Sequence, residues 1–216
     1  MAAAMRSIRP RMTAAAVATL AAGATIAVAA GPASASTASA AAKLHATYKV
    51  TGSTYIKAPN FTLSLGPGKL SSTVNTSTGK LTATLSMPNA TGSFEQLGII
   101  PVTSTTQFIN DGPTTGKLNL RTGGVRTKSK ITLRIVSLTV AGLNVPVGNS
   151  CETKQPVVVR LASKPGFNAI DGGTVAGDYT IGDFWHCGLA TLLINQTIPG
   201  SGNTITLKLG KAKIRR

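Results

Sequence analysis

Apolar and polar positions alternate with a period of two along most of the chain. Leu81, Ala83, Leu85 and Met87 share one parity; Lys80, Thr82, Thr84 and Ser86 share the other. Phe61, Leu63 and Leu65 repeat the pattern, as do Val157, Val159 and Leu161, and then Ile205, Leu207 and Leu209. Successive side chains of an extended strand point to opposite faces, so this alternation predicts strands with one face buried and one face wet. Thr fills much of the wet face, where its branched Cβ suits a pleated surface. Gly and Pro punctuate the runs at Gly66-Pro67-Gly68, Thr78-Gly79, Asp111-Gly112-Pro113, Gly123-Gly124, Gly172-Gly173 and Pro199-Gly200. The expected fold is all-β, an antiparallel β-sandwich or a barrel-like closure.

Three stretches depart from plain alternation. Leu189, Leu192 and Leu193 stand at helical spacing and predict one short helix after Cys187. Ile131, Leu133 and Ile135 are followed by Val136, Leu138 and Val140, a change of phase that predicts a bulge or a switch of sheet near Ile135. Thr78-Gly79-Lys80-Leu81 recurs as Thr115-Gly116-Lys117-Leu118, which reads as two hairpin turns of similar type.

Residues 1–40 carry a different pattern. Arg6, Arg9 and Arg11 precede an Ala-rich apolar run over residues 13–30, and small-residue sites end at Ala35 and Ala40. That is the layout of a secretory signal peptide, cleaved after about Ala35 or Ala40. The run approaches the ~20 residues a membrane helix needs, but it is mostly Ala and is broken by Gly31-Pro32. The organisation expected is a leader over 1–40, a single β-rich domain over 41–210 and a basic C-terminal tail over 211–216. The setting is extracellular, with association with the cell wall as an option.

An exported context gives meaning to the two cysteines, Cys151 and Cys187, which are expected to form one disulfide. Charge is lopsided. The chain has 22 Lys and Arg against 6 Asp and Glu; without the three leader arginines, 19 basic residues face the same 6 acids, a net charge of +13. Such a field attracts anions. Outside a cell the relevant ones are cell-wall polymers and lipid headgroups. Few aromatics and no nucleic-acid-binding motif argue against specific recognition of nucleic acid.

Arg126, Lys128, Lys130 and Arg134 share one parity on a candidate strand and are the first anion-binding candidates. Lys211, Lys213, Arg215 and Arg216 form a second group at the C-terminus. The bland alternatives are an edge strand protected by charge and a solvated tail.

Acid–base chemistry has little material. Asp178, Asp183 and His186 lie close together beside Trp185 and Cys187, but no Gly-x-Ser-x-Gly elbow supplies a nucleophile. Phe184 and Trp185 read as core packing around the disulfide. No ligand set for zinc or calcium is present, and no cofactor is expected.

The stretch Tyr48-Lys49-Val50-Thr51-Gly52, the segments TLSLGPGKL and CETKQPVVVRL, and the runs GGTVAGDYTIGDF and HCGLATLLINQTIPGSGNTITLKL resemble an uncharacterised family of secreted β-rich proteins from actinobacteria. The resemblance spans residues 48–209 and is most specific in the Cys-containing C-terminal third. It implies a Gram-positive exported protein with one disulfide, and it carries no activity or catalytic residues. The expected function is therefore non-enzymatic binding of anionic surfaces or polymers. The alternatives are a β-rich carrier of a lipid or other apolar ligand, and a hydrolase using Asp183 and His186.

Overall fold

The computed structural model describes residues 42–215; residues 1–41, which include the expected leader, and Arg216 lie outside the described residues. Seven strands open the domain: β1 (Lys43–Ile56), β2 (Phe61–Asn75), β3 (Lys80–Ser86), β4 (Ala90–Gln96), β5 (Ile100–Asn110), β6 (Thr114–Leu118) and β7 (Val125–Val140). The two-residue β8 (Leu143–Asn144) and β9 (Glu152–Thr153) lead into β10 (Val157–Ser163) and β11 (Gly173–Ile181). After β12 (Phe184–Trp185), a 3-10 turn at Gly188–Ala190 and helix α1 (Thr191–Thr197) precede β13 (Gly200–Leu209) and β14 (Lys213–Arg215).

Every pairing is antiparallel, and the sheet closes on itself. The ring runs β1-β2-β3-β6-β7-β10-β11-β13 and back to β1, an up-and-down barrel of 8 strands. Closure removes the edges that an open sheet must protect. Pro88 separates β3 from β4 and Pro113 separates β5 from β6, so each pair behaves as one long strand broken where proline cannot donate to the ladder. β3 pairs with β6 and β4 pairs with β5. Beside β4, Phe61 stacks on Phe94 with ring centroids 5.1 Å apart. Gly92 makes room for this, because a Cβ there would fall 2.6 Å from the Phe61 ring.

The two ends of the barrel differ. At the helix end, Ile56, Phe94, Ile135, Leu138, Val147, Ile181, Phe184, Ala190, Ile194 and Ile198 form one core with the disulfide. At the hairpin end, Val50, Leu63, Leu65, Val175, Leu207 and Leu209 pack together, with Val74, Leu81 and Ala83 beyond them. Two small interior cavities of about 90 and 60 Å³ remain. Outward positions carry Thr, Ser and Lys, whereas inward ones are mostly apolar with a few hydroxyls such as Thr54, Ser104 and Thr114 among them.

The expected disulfide joins Cys151 to Cys187, both fully buried. It ties the approach to β10 to the plug formed by the 3-10 turn and α1. The phase change near Ile135 is a bulge: the register passes from Thr105↔Ser137 to Thr106↔Ile135 and leaves Val136 unpaired.

Several local expectations need correction. The short helix exists, but its buried residue is Ile194, flanked by buried Ala190 in the 3-10 turn and Ile198 at the C-cap. Leu193 is half-buried against the same core, while Leu189 is 100% and Leu192 is 69% exposed. Ala and Ile at i, i+4 and i+8 cover the barrel mouth, a face the leucine spacing concealed. Gly66-Pro67-Gly68 does not end a strand; it forms a bulge inside β2, where Val50↔Gly68 gives way to Gly52↔Leu65. Trp185 is not core. Phe184 is buried, but Trp185, the next residue on the strand, faces out and stacks on His186 with centroids 4.3 Å apart.

The Thr-Gly-Lys-Leu repeat is not a pair of turns. The first copy leaves a turn, whereas the second lies within β6, where a Cβ on Gly116 would stand 2.3 Å from the Arg126 carbonyl oxygen. The matching turns are Asn75-Thr76-Ser77-Thr78-Gly79 and Asn119-Leu120-Arg121-Thr122-Gly123. In each, the Asn side-chain oxygen accepts two backbone N–H groups, and the Thr hydroxyl oxygen accepts a third. Gly79 and Gly123 have φ of 69° and 73°, a region that glycine occupies without strain.

Candidate functional site: a cationic band on the barrel wall

Alternation on β7 turns Arg126, Lys128 and Lys130 outward, and all three are exposed. Neighbouring strands enlarge this stripe into a two-dimensional patch. Lys117 on β6 stands directly opposite Arg126, and Lys80 on β3 stands directly opposite Lys117. On the other side of β7, Arg160 of β10 opposes Lys128. Cross-strand partners have Cβ atoms about 4.5–5.5 Å apart, so like charges so placed repel and destabilise the sheet. That spacing is shorter than the ~8 Å screening length at physiological salt.

Acids do little to offset the repulsion. The described residues contain one ion pair, Arg134–Glu152, with Nη2 and Oε2 3.0 Å apart. Arg134 therefore differs from the other members of its stripe. It is half-buried, its Nε and Nη2 both donate to Glu152, and it sits near the bulge away from Lys117 and Arg126. Asp178 lines the same shallow surface hollow as Lys117, Arg126, Lys128 and Arg160 but pairs with none of them.

The C-terminal cations join the same wall. Lys213 and Arg215 belong to β14, which extends the barrel beside β1 with Thr47↔Lys213 and His45↔Arg215. Lys211 is exposed in the preceding link, and Arg216 lies outside the described residues. One unbroken register row runs Arg215, His45, Thr73, Thr82, Thr115, Lys128, Arg160. At about 4.8 Å per strand, Arg215 and Lys128 lie roughly 24 Å apart around the wall. The row places cations at both ends of a run of hydroxyls, with His45 Nδ1 and Thr73 Oγ1 3.0 Å apart.

Asp183 and His186 do not assemble into a reactive pair. Both are exposed, and no hydrogen bond joins them or links either side chain to a Ser or Thr hydroxyl among the described residues. Groups of three or more His, Cys, Asp or Glu with metal-binding proximity are likewise absent among the described residues. No helix among them is long and apolar enough to cross a membrane.

The sequence pattern missed Lys80, Lys117 and Arg160 because they lie on strands separate from the stripe. A signal existed for the first two: the repeated Thr-Gly-Lys-Leu places a Lys at the same position in two segments, and antiparallel pairing sets those lysines opposite each other. Fold and surface together define an up-and-down antiparallel β-barrel, closed by one disulfide-tethered plug, with a cation-rich wall. No family model matches the chain, and neither the curated proteins nor the solved structures yield a match.

Proposed function

We propose that this is an exported, non-enzymatic protein of the actinobacterial envelope or extracellular space that holds anionic polymers or lipid headgroups against its barrel wall. One observation carries the reading: Lys80, Lys117 and Arg126 stand side by side on three adjacent strands with no ion-paired acid. An anionic partner would relieve that repulsion on binding. The leader pattern and the buried disulfide support the extracellular setting.

The carrier reading has less support, because interior cavities of about 90 and 60 Å³ are small beside the ~300–1,000 Å³ of ordinary ligand pockets. The hydrolase reading has less again, since its two named residues are not bonded to each other or to a nucleophile. The test is retention of the purified protein on isolated cell walls and on phosphatidylglycerol vesicles as salt increases. Retention that falls steeply with salt is the expected result. Salt-insensitive retention, or none, would remove the reading.

A further inference from the structure

At the hairpin end, the cationic wall runs into an open groove of about 790 Å³ between the β6–β7 turn and the end of β10. Three cations line it: Lys117, Arg126 and, on the turn itself, Arg121. No acidic residue contributes to the lining.

The uncharged polar groups point to the same class of ligand. The Thr122 hydroxyl oxygen accepts the Gly124 N–H at 3.3 Å, and the Thr78 hydroxyl oxygen accepts the Lys80 N–H at 3.3 Å. Ser163 Oγ accepts the Val125 N–H at 3.0 Å. Each hydroxyl is thus engaged as an acceptor and keeps its proton to give. Asn119 repeats the arrangement: its side-chain oxygen accepts the Arg121 and Thr122 N–H groups, which leaves its amide NH₂ as the free function. Cations and spare O–H and N–H donors favour a ligand that is anionic and rich in acceptors.

We infer that this groove is a seat for a phosphate ester, in which tetrahedral oxygens take donors from Arg121, Arg126 and Lys117 together with the hydroxyls of Thr122 and Ser163. The planar guanidinium fork pairs with phosphate and carboxylate alike. The larger set of acceptor oxygens on a tetrahedral phosphate is what suits the five donor side chains of Lys117, Arg121, Arg126, Thr122 and Ser163 around the groove. The inference rests on the proposed anionic partner and adds its chemistry: a phosphodiester polymer or a phospholipid headgroup, rather than a polycarboxylate. The wall supplies long-range attraction, and the groove supplies selectivity.

The experiment is an amide-resolved NMR titration of the processed protein with inorganic phosphate and, at equal ionic strength, with acetate. Phosphate should shift the amides of Arg121, Thr122, Gly124 and Ser163 saturably, and acetate should leave them near their starting positions. Arg121→Gln should weaken phosphate binding by about tenfold, the loss expected for one charge-assisted contact. Soluble polyglycerol phosphate and phosphatidylglycerol vesicles then separate the two sources: whichever competes with phosphate at these amides identifies the partner. Equal, non-saturating shifts with both anions, or competition by neither source, would overturn the inference. Absence of salt-sensitive retention of the unaltered protein on isolated cell walls and on vesicles counts against the proposed function, whereas intact retention with no saturable phosphate shifts counts against the groove alone.

Discussion

Lys117 and Arg126 face each other across adjacent strands, both exposed and neither ion-paired with an acid. A sheet selected only for stability would place opposite charges there. Replacing one cation by an acid should therefore separate stability from binding. Lys117→Glu is expected to raise the stability measured by urea denaturation by roughly 0.2–1 kcal/mol and to reduce retention on anionic cell walls. Parallel denaturation and sedimentation assays check both directions. Loss of stability together with loss of retention would mean that the variant is merely damaged.

The disulfide closes a loop with a sequence separation of 36. Chain-entropy reasoning gives it about 3–4 kcal/mol. The double variant Cys151→Ala/Cys187→Ala should lose about that much in chemical denaturation, with hydrogen exchange accelerating first around α1 and β9. Uniform acceleration over the whole barrel would argue that the plug is not a separable element.

The plug formed by the 3-10 turn and helix α1 offers a sharp contrast. Ile194 is 2% exposed and Leu189 is 100% exposed. Ile194→Ala should cost about 2–5 kcal/mol through the cavity it leaves. Leu189→Ala should stay within about 0.5 kcal/mol of the parent. Urea midpoints for the two variants decide which face of the plug seals the barrel.

One buried and one half-buried tyrosine set an alkaline limit. Burial raises the Tyr48 hydroxyl above its ordinary 10.0, where it donates to the Ala169 carbonyl oxygen. Burial also raises Tyr179, partly countered by its hydrogen bond with Thr54. A folded-state value above the unfolded one means that the native protein holds its proton more tightly. Stability is therefore full below about pH 10 and falls as pH rises through the folded-state values. Urea midpoints measured across that range should show this decline, and Tyr179→Phe should flatten it. An unchanged slope in the variant would shift the cause elsewhere.

Much of this fold could be read from side-chain alternation. Leu81, Ala83 and Val157, Val159 mark inward faces because a period of two leaves no other choice for a half-buried strand. The bulge at Val136 was visible as a slip in that period. The helix face was not, because Leu189 and Leu192 outweigh Ala190 and Ile194 in hydrophobicity while facing water. Nor was the cationic patch legible beyond Arg126, Lys128 and Lys130. Lys117 and Arg160 join it only through strand pairing, which depends on how turns such as residues 119–123 set the register.

The most direct test is the slope of retention against salt concentration on purified anionic cell walls, compared between the parent protein and the variant Lys117→Glu/Arg126→Glu/Lys128→Glu. A steep slope for the parent and a markedly shallower one for the variant is the expected result, since fewer counterions are released when fewer cations engage. Equal slopes, at equal retention, would contradict a binding role for the barrel wall.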